Sequence, residues 1–125
     1  MKKVIHTDSA PKAVGPYSQA IFAGDTLYIS GQIPIDPSIG KFVEGGITEQ
    51  THQVMKNIGA ILKEAGLSYS NAVKCTCLLS DMGDFAAMNL VYAEYFKENP
   101  PARAAFSVKG LPLGAMVEIE CIAVK

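Results

Sequence analysis

Apolar residues recur every three or four positions in two long segments, which is the spacing of amphipathic helices. Residues 47–66 form the first of these segments. Thr48 or Thr51 is a candidate N-cap of this helix, and Gly66 is a candidate left-handed stop. The predicted buried face consists of Val54, Ile58, Ile61, Leu62 and Ala65.

The second helical segment is "DFAAMNLVYAEYFKENPP", residues 84–101. Asp84 is the predicted N-cap, and Pro100 and Pro101 are predicted to end the helix. Its predicted apolar face consists of Phe85, Met88, Tyr92 and Phe96.

Strand-like patterns fill most of the remaining chain. Ser18–Phe22 and Thr26–Ile33 are predicted to form a hairpin around "AGD", and residues 71–80 alternate as a half-buried strand, with Val73, Cys75, Cys77 and Leu79 on the apolar side. Ala102–Val108 and Ala115–Lys125 are the last two predicted strands. The order β-β-α-β-α-β-β predicts an α+β fold with a mixed sheet.

Right-handed crossovers place both helices on one face of such a sheet and leave the other face bare. A mixed apolar and polar bare face fits a subunit interface with a pocket. Strand alternation assigns to this face Met116, Glu118, Glu120 and Ile122, then Arg103, Ala105 and Ser107, and finally Tyr28, Ser30 and Gln32.

Composition narrows the class of protein. The 125 residues predict one domain, residues 1–125, and 49% hydrophobic residues supply a core. A net charge of −1 argues against nucleic-acid binding. The start of the chain lacks a signal-peptide pattern and no apolar run reaches membrane-spanning length, so a soluble cytoplasmic protein is expected. The three cysteines resemble buried thiols, and no metal site is expected.

Arg103 is the only arginine in the chain, and it lies among alanines in "PPARAAF". It is either a surface arginine whose stem covers the sheet or a fork that binds a carboxylate through two hydrogen bonds. The small neighbours leave room for a ligand, which favours the fork slightly.

Several other residues have both a structural and a functional interpretation. Glu118 and Glu120 are either charged residues on a wet strand or a pair of which one activates water. Tyr17 either packs at a turn or walls a pocket, whereas Gly31, inside a strand, indicates a bulge or a close approach to a ligand. Asn89 is a poor helix former and is either simply exposed or functional.

Taken together and in order, six stretches resemble the Rid family (YjgF-type proteins), and within it the RidA subgroup, over essentially the whole chain. They are "APKAVGPYSQAI", "LYISGQIPIDP", "G-x-x-x-x-QT-x-QV-x-KNI-x-AIL-x-EAG" across the first helix, "DF-x-x-MN-x-VY-x-EYF", "PPARAAF" and "VEIECIA". The resemblance implies a chorismate-mutase-like fold, two helices on one face of a mixed sheet, and a homotrimer with sites between subunits. It also implies hydrolysis of 2-imino acids and their enamine tautomers to 2-oxo acids and ammonia, without a cofactor.

The resemblance also implies roles for individual residues. Arg103 would bind the substrate carboxylate and Glu118 would position or activate water, although Glu120 stays an alternative. Pocket-lining residues would be Tyr17, Ser30, Gly31 and Asn89. The family often has a cysteine where this chain has Ala105, which implies a backbone contact there and a non-covalent mechanism. A non-catalytic module that binds 2-oxo acids and a ribonuclease that inhibits translation are the alternative functions.

Overall fold

A computed structural model describes residues 2–125. These residues form eight strands and two α-helices. In chain order they are β1 (Lys2–Ile5), β2 (Ala20–Ala23), β3 (Thr26–Gln32), β4 (Ile35–Asp36), β5 (Lys41–Phe42), α1 (Ile47–Glu64), β6 (Ala72–Leu79), α2 (Phe85–Tyr95), β7 (Ala102–Ser107) and β8 (Val117–Val124).

Six strands form one mixed sheet in the order β1-β2-β3-β8-β6-β7. All neighbours are antiparallel except β6 and β7, which are parallel and are joined through α2. Both helices pack on the same face, so the predicted α+β fold with one bare sheet face is confirmed. Strands β1, β4 and β5 were not predicted. The two lysines of β1 interrupt the apolar alternation by which a strand is recognised in a sequence. Strands β4 and β5 are two residues long each and pair only with each other, in a separate ladder.

The core lies between the helices and the sheet. Four of the five predicted α1 residues are fully buried, and Ala65 packs at the edge of the core. The largest fully buried hydrophobic side chains of the core are Leu27, Met55, Ile58, Ile61, Leu62, Leu79, Met88 and Ile119.

The ends of α1 test the predicted capping. Gly66 has φ +77°, so the predicted left-handed stop is confirmed. The N-cap is Gly46, and neither threonine caps the helix, since both lie inside it. Glu49 takes over the capping role because its carboxylate accepts a hydrogen bond from the Gly46 N–H at 2.9 Å.

The start of α2 agrees with the prediction in position. Asp84 is the N-cap residue, but its side chain makes no capping hydrogen bond. Asp81 accepts a hydrogen bond from the Gly83 N–H in the 3₁₀ turn just before α2. The helix ends at Tyr95, ahead of the two prolines.

Strand β6 departs from strict alternation at its start. Its register against β8 shifts between Ala72 and Lys74, so Ala72 is buried and Val73 is exposed, opposite to the prediction for Val73. All three cysteines are free and buried, as expected. Burial raises the pKa of the Cys77 thiol to about 12. No helix within residues 2–125 combines the length and apolarity needed to cross a bilayer.

Candidate functional site

A cleft of about 610 Å³ opens on the bare side of the sheet, beside β3 and β8. Tyr17, Ser30, Gly31 and Glu118 all line it, so the structure brings together four of the predicted site residues. Its remaining walls are Pro11, Lys12, Val14, Gln19, Gln32, Ile33, Ile35, Pro112 and Leu113.

A bulge in β3 shapes the floor of this cleft. Ile29 pairs with Cys121 and Gln32 pairs with Ile119, so one extra residue is inserted into β3 between the two pairs. The bulge predicted at Gly31 is therefore confirmed. The same bulge moves Gln32, predicted on the bare face, to the core side, where it is 5% exposed.

Gly31 allows the Glu118 carboxylate to lie directly against the backbone of β3. A Cβ atom at position 31 would overlap the Glu118 carboxylate, and it would stand 2.9 Å from Cδ. The close backbone approach that the sequence indicated is thus to a side chain of β8.

Glu118 is partly buried, whereas Glu120, two residues along the same face, is exposed. Burial raises the pKa of Glu118 above its ordinary value, and the nearby charge of Glu120 acts in the same direction. A carboxylate with a raised pKa holds a proton more readily, which suits a general base. Of the two glutamates, the structure places only Glu118 in the cleft.

The rim of the cleft is held by buried polar groups. Gln19 is 2% exposed; its amide nitrogen donates to the carbonyls of Thr7 and Pro11, and its oxygen accepts from the Thr7 N–H. The Ser30 hydroxyl donates to the Ser18 carbonyl at 2.6 Å. These bonds fix the segment before β2 against β3, although no pattern in the sequence indicated this role of Gln19.

Arg103 lies on the opposite side of the sheet. In the parallel β6–β7 ladder it pairs with Cys75, and Ala105 pairs with Cys77; both cysteines face the helices. The prediction that Arg103, Ala105 and Ser107 share the bare face is therefore wrong. Strand β7 is at the edge of the sheet, and its largest apolar side chain, Phe106, points to the bare face and is 48% exposed. The burial of apolar residues therefore does not determine which side of β7 faces the helices.

Helix α2 contacts the guanidinium of Arg103 through three side chains. Nη1 donates a hydrogen bond to Oδ1 of Asn89 at 2.6 Å. The guanidinium carbon lies 4.9 Å from the ring centroid of Tyr92 and 5.5 Å from that of Phe85. Arg103 and Asn89 border a shallow depression of about 410 Å³ that also includes Tyr92.

The predicted site residues thus form two groups in one chain. We call Tyr17, Ser30, Gly31 and Glu118 the carboxylate cleft, and Arg103, Asn89 and Tyr92 the arginine edge. Strand β6 separates β7 from β8, and the two groups lie on opposite faces of the sheet. Ala105 packs against the core near the arginine edge. Within residues 2–125, no His, Cys, Asp and Glu side chains cluster as a metal site.

The model of the endoribonuclease L-PSP family matches residues 7–125. The chain belongs to this family. One relative of this L-PSP chain is a RutC family protein of Pyrococcus horikoshii, which is 58% identical over 125 residues, covering 100% of the chain and 99% of the relative.

Two further relatives connect this L-PSP protein to the Rid resemblance. Human 2-iminobutanoate/2-iminopropanoate deaminase is 51% identical over 125 residues, covering 100% of the chain and 91% of the human protein. A solved structure from Yersinia pestis, described as a protein of unknown function of the conserved Rid family, superposes with a TM-score of 0.96 at 48% identity and full coverage of both chains. The predicted membership of the Rid family is therefore confirmed.

Proposed function

We propose that this protein hydrolyses 2-imino acids and their enamine tautomers to 2-oxo acids and ammonia. The proposed substrates are 2-iminopropanoate, with its tautomer 2-aminoacrylate, and 2-iminobutanoate. The observation that carries the proposal is the state of the only arginine: among residues 2–125, no carboxylate lies within 4 Å of the Arg103 guanidinium. The deaminase names of close relatives support the same reaction.

The proposed chemistry divides between the two groups of residues. Arg103 binds the substrate carboxylate through two parallel hydrogen bonds. The substrate reacts as its iminium form. Glu118 takes a proton from a water molecule while the water oxygen bonds to the iminium carbon, and the electrons of the C=N bond pass to the nitrogen, which gives a neutral carbinolamine. Glu118 then returns its proton to the amine nitrogen, the C–N bond breaks with loss of ammonia, and the hydroxyl proton leaves to solvent as the 2-oxo acid forms. Because Ala105 offers no nucleophile, the water attacks directly and no covalent enzyme intermediate forms.

A complete site requires two subunits in this proposal. Since Arg103 and Glu118 lie on opposite faces of one sheet, they meet only when the arginine edge of one copy contacts the carboxylate cleft of another. The exposed aromatic residues of the bare face, Tyr28 at 50% and Phe106 at 48%, support its burial in an assembly. We propose the homotrimer that the resemblance implies.

The other site residues line this interface. Tyr17 and Ser30 would wall the substrate in the carboxylate cleft, and Asn89 would stand beside the carboxylate at the arginine edge. No cofactor, nucleic acid or membrane enters the proposed reaction. Free buried thiols are typical of a reducing compartment, which supports the expected cytoplasmic location.

The experiment couples a pyridoxal-phosphate-dependent serine or threonine dehydratase to this protein and traps the released imine with semicarbazide. Wild-type protein should shorten the lifetime of the imine, and Arg103→Ala should abolish this effect. Lys109→Ala removes a cation near the end of β7 and serves as the control.

Two other results would contradict the proposal. Binding of 2-oxobutanoate without any effect on the imine lifetime would establish a non-catalytic binding module. RNA cleavage that survives stringent purification and disappears in Arg103→Ala would establish the ribonuclease alternative.

A further inference from the structure

One face of α2 is arranged around the guanidinium of Arg103. Phe85, Asn89 and Tyr92 have the spacing i, i+4 and i+7, so they lie one above another along the helix. The hydrogen bond from Nη1 ends on Asn89, and the two rings lie on either side of it along the helix. A cation near the faces of two aromatic rings is attracted by their quadrupoles.

Of the three α2 side chains that contact Arg103, Tyr92 is the most buried, and other side chains hold it in place. Tyr92 is 5% exposed, and its ring lies 4.8 Å from that of Phe96. Burial raises the pKa of Tyr92, so the ring stays neutral. The Tyr92 hydroxyl is buried beside the Cys75 thiol, and it has no nitrogen or oxygen hydrogen-bond partner within residues 2–125. Its ring packs against Phe96 and also lies near the guanidinium.

The contacts leave most of the guanidinium free. A guanidinium has five N–H donors, and Asn89 accepts from Nη1 only. Strand β7 fixes the Cα of Arg103, and α2 fixes the far end of the side chain. A flexible arginine would lose rotamer entropy on binding a carboxylate, whereas one that is already oriented avoids part of this cost.

We propose that Phe85, Asn89 and Tyr92 are positioning residues that hold the Arg103 guanidinium in one orientation, with its free donors directed at the substrate carboxylate. This inference deepens the proposed function and rests on it for the identity of the ligand. It also changes the role of Asn89, whose main contact is then with Arg103 and not with the substrate.

The single arginine makes a direct test possible. In protein labelled with ¹⁵N only in arginine, one Nε–H signal reports on Arg103. In the wild type this signal should be displaced by the ring currents of Phe85 and Tyr92. Tyr92→Leu should move it towards the position of an unstructured arginine, and Tyr92→Phe, which keeps the ring, should restore most of the displacement.

Binding is measured on the same samples with 2-oxobutanoate as the probe. Tyr92→Leu should weaken its affinity about three- to tenfold, the range of a partly buried cation–π contact. KM for the imine should rise by a similar factor with little change in kcat, since the carboxylate cleft is intact. Asn89→Ala, at an exposed position, should weaken the affinity too, which covers the case in which Tyr92→Leu does not fold. Leu90→Ala, exposed on the same helix, is the control.

The outcomes separate the two proposals. An undisplaced wild-type signal, or a signal and affinity that neither Tyr92→Leu nor Asn89→Ala changes, would overturn the positioning inference alone. A displaced signal that moves in these variants, together with an unchanged imine lifetime in Arg103→Ala, would overturn the proposed function and leave the positioning of the guanidinium established.

Discussion

The carboxylate cleft and the arginine edge are built on different principles. The cleft lies over the middle of the sheet, where a bulge and a glycine let Glu118 lie against β3 and the hydrogen bonds of a buried amide hold the rim. The arginine edge lies on an edge strand, where one hydrogen bond and two ring contacts hold an exposed cation. The cleft perturbs the pKa of its acid through burial, whereas the edge keeps its cation accessible. The carboxylate cleft supplies an acidic group, and the arginine edge supplies a cation.

The largest expected effect comes from removing the base of the cleft. Glu118→Gln keeps the shape of the side chain but cannot take a proton from water. We expect kcat/KM for 2-iminobutanoate to fall about 10²- to 10⁴-fold, with the affinity for 2-oxobutanoate largely kept. The coupled semicarbazide assay measures the first quantity and calorimetry the second. A full rate in this variant would remove Glu118 from the mechanism.

The backbone of Gly31 lies directly against the Glu118 carboxylate. Gly31→Ala adds a Cβ that overlaps the Glu118 carboxylate and must displace it. A displaced base should lower kcat about 10- to 100-fold while the arginine edge still binds 2-oxobutanoate. Gly110→Ala is the matched control, because a Cβ there meets nothing within 4 Å. Equal kcat values for the two variants would contradict the role given to Gly31.

Stability should separate the two regions as well. Gln19→Ala leaves partly buried backbone groups of Thr7 and Pro11 without their partner, so we expect a loss of about 1–3 kcal/mol in the free energy of unfolding. Asn89→Ala, at the exposed edge, should cost clearly less. Denaturant titration measures the free energy of unfolding of both variants. Equal losses would show that the hydrogen bonds of Gln19 stabilise the protein no more than the hydrogen bond of Asn89 does.

Mixing two inactive variants tests whether the regions meet across subunits. Arg103→Ala and Glu118→Gln are each expected to be inactive. After refolding together in equal amounts, about one quarter of wild-type activity should return, because random assembly of the proposed homotrimer pairs an intact arginine edge with an intact cleft at that frequency. No recovery in mixed oligomers confirmed by mass spectrometry would contradict a site built from the arginine edge of one subunit and the cleft of another.

The smallest expected effect is a shift in the pH profile. A base must be deprotonated to act, so kcat/KM should fall as the pH drops through the raised pKa of Glu118. Glu120→Gln removes the neighbouring charge and should move this acidic limb to lower pH. Because burial is the larger cause, the limb should stay above the ordinary range of a glutamate. A limb that shifts to higher pH in this variant would contradict the assignment.

Local patterns predicted the elements whose signals are periodic and strong. The buried face of α1 and the stop at Gly66 follow from helical spacing and from the conformational freedom of glycine. The bulge at Gly31 was also predictable, because a glycine inside a strand often marks a bulge or a close backbone approach. Strand β1, with two lysines in four residues, carries no apolar alternation that could have revealed it.

The facing of β7 could not be predicted from its residues. "ARAAFS" has small or apolar side chains on both faces, and the edge position leaves both partly open. The side that Arg103 occupies is decided by Tyr92 and Phe85 of α2, and that contact is a tertiary one. The split of the site into two groups depends on this facing, so sequence patterns could name the site residues but could not place them.

The position of β8 has a consequence for how the chain folds during synthesis. This strand follows all the others along the chain, yet it lies in the middle of the sheet between β3 and β6. Until β8 has left the ribosome, β3 and β6 each expose an unpaired strand edge, and β6–α2–β7 has no sheet to join. Contacts between such distant segments slow folding. Nascent chains stalled before Val117 should therefore depend on chaperones, while chains that include Val124 should not.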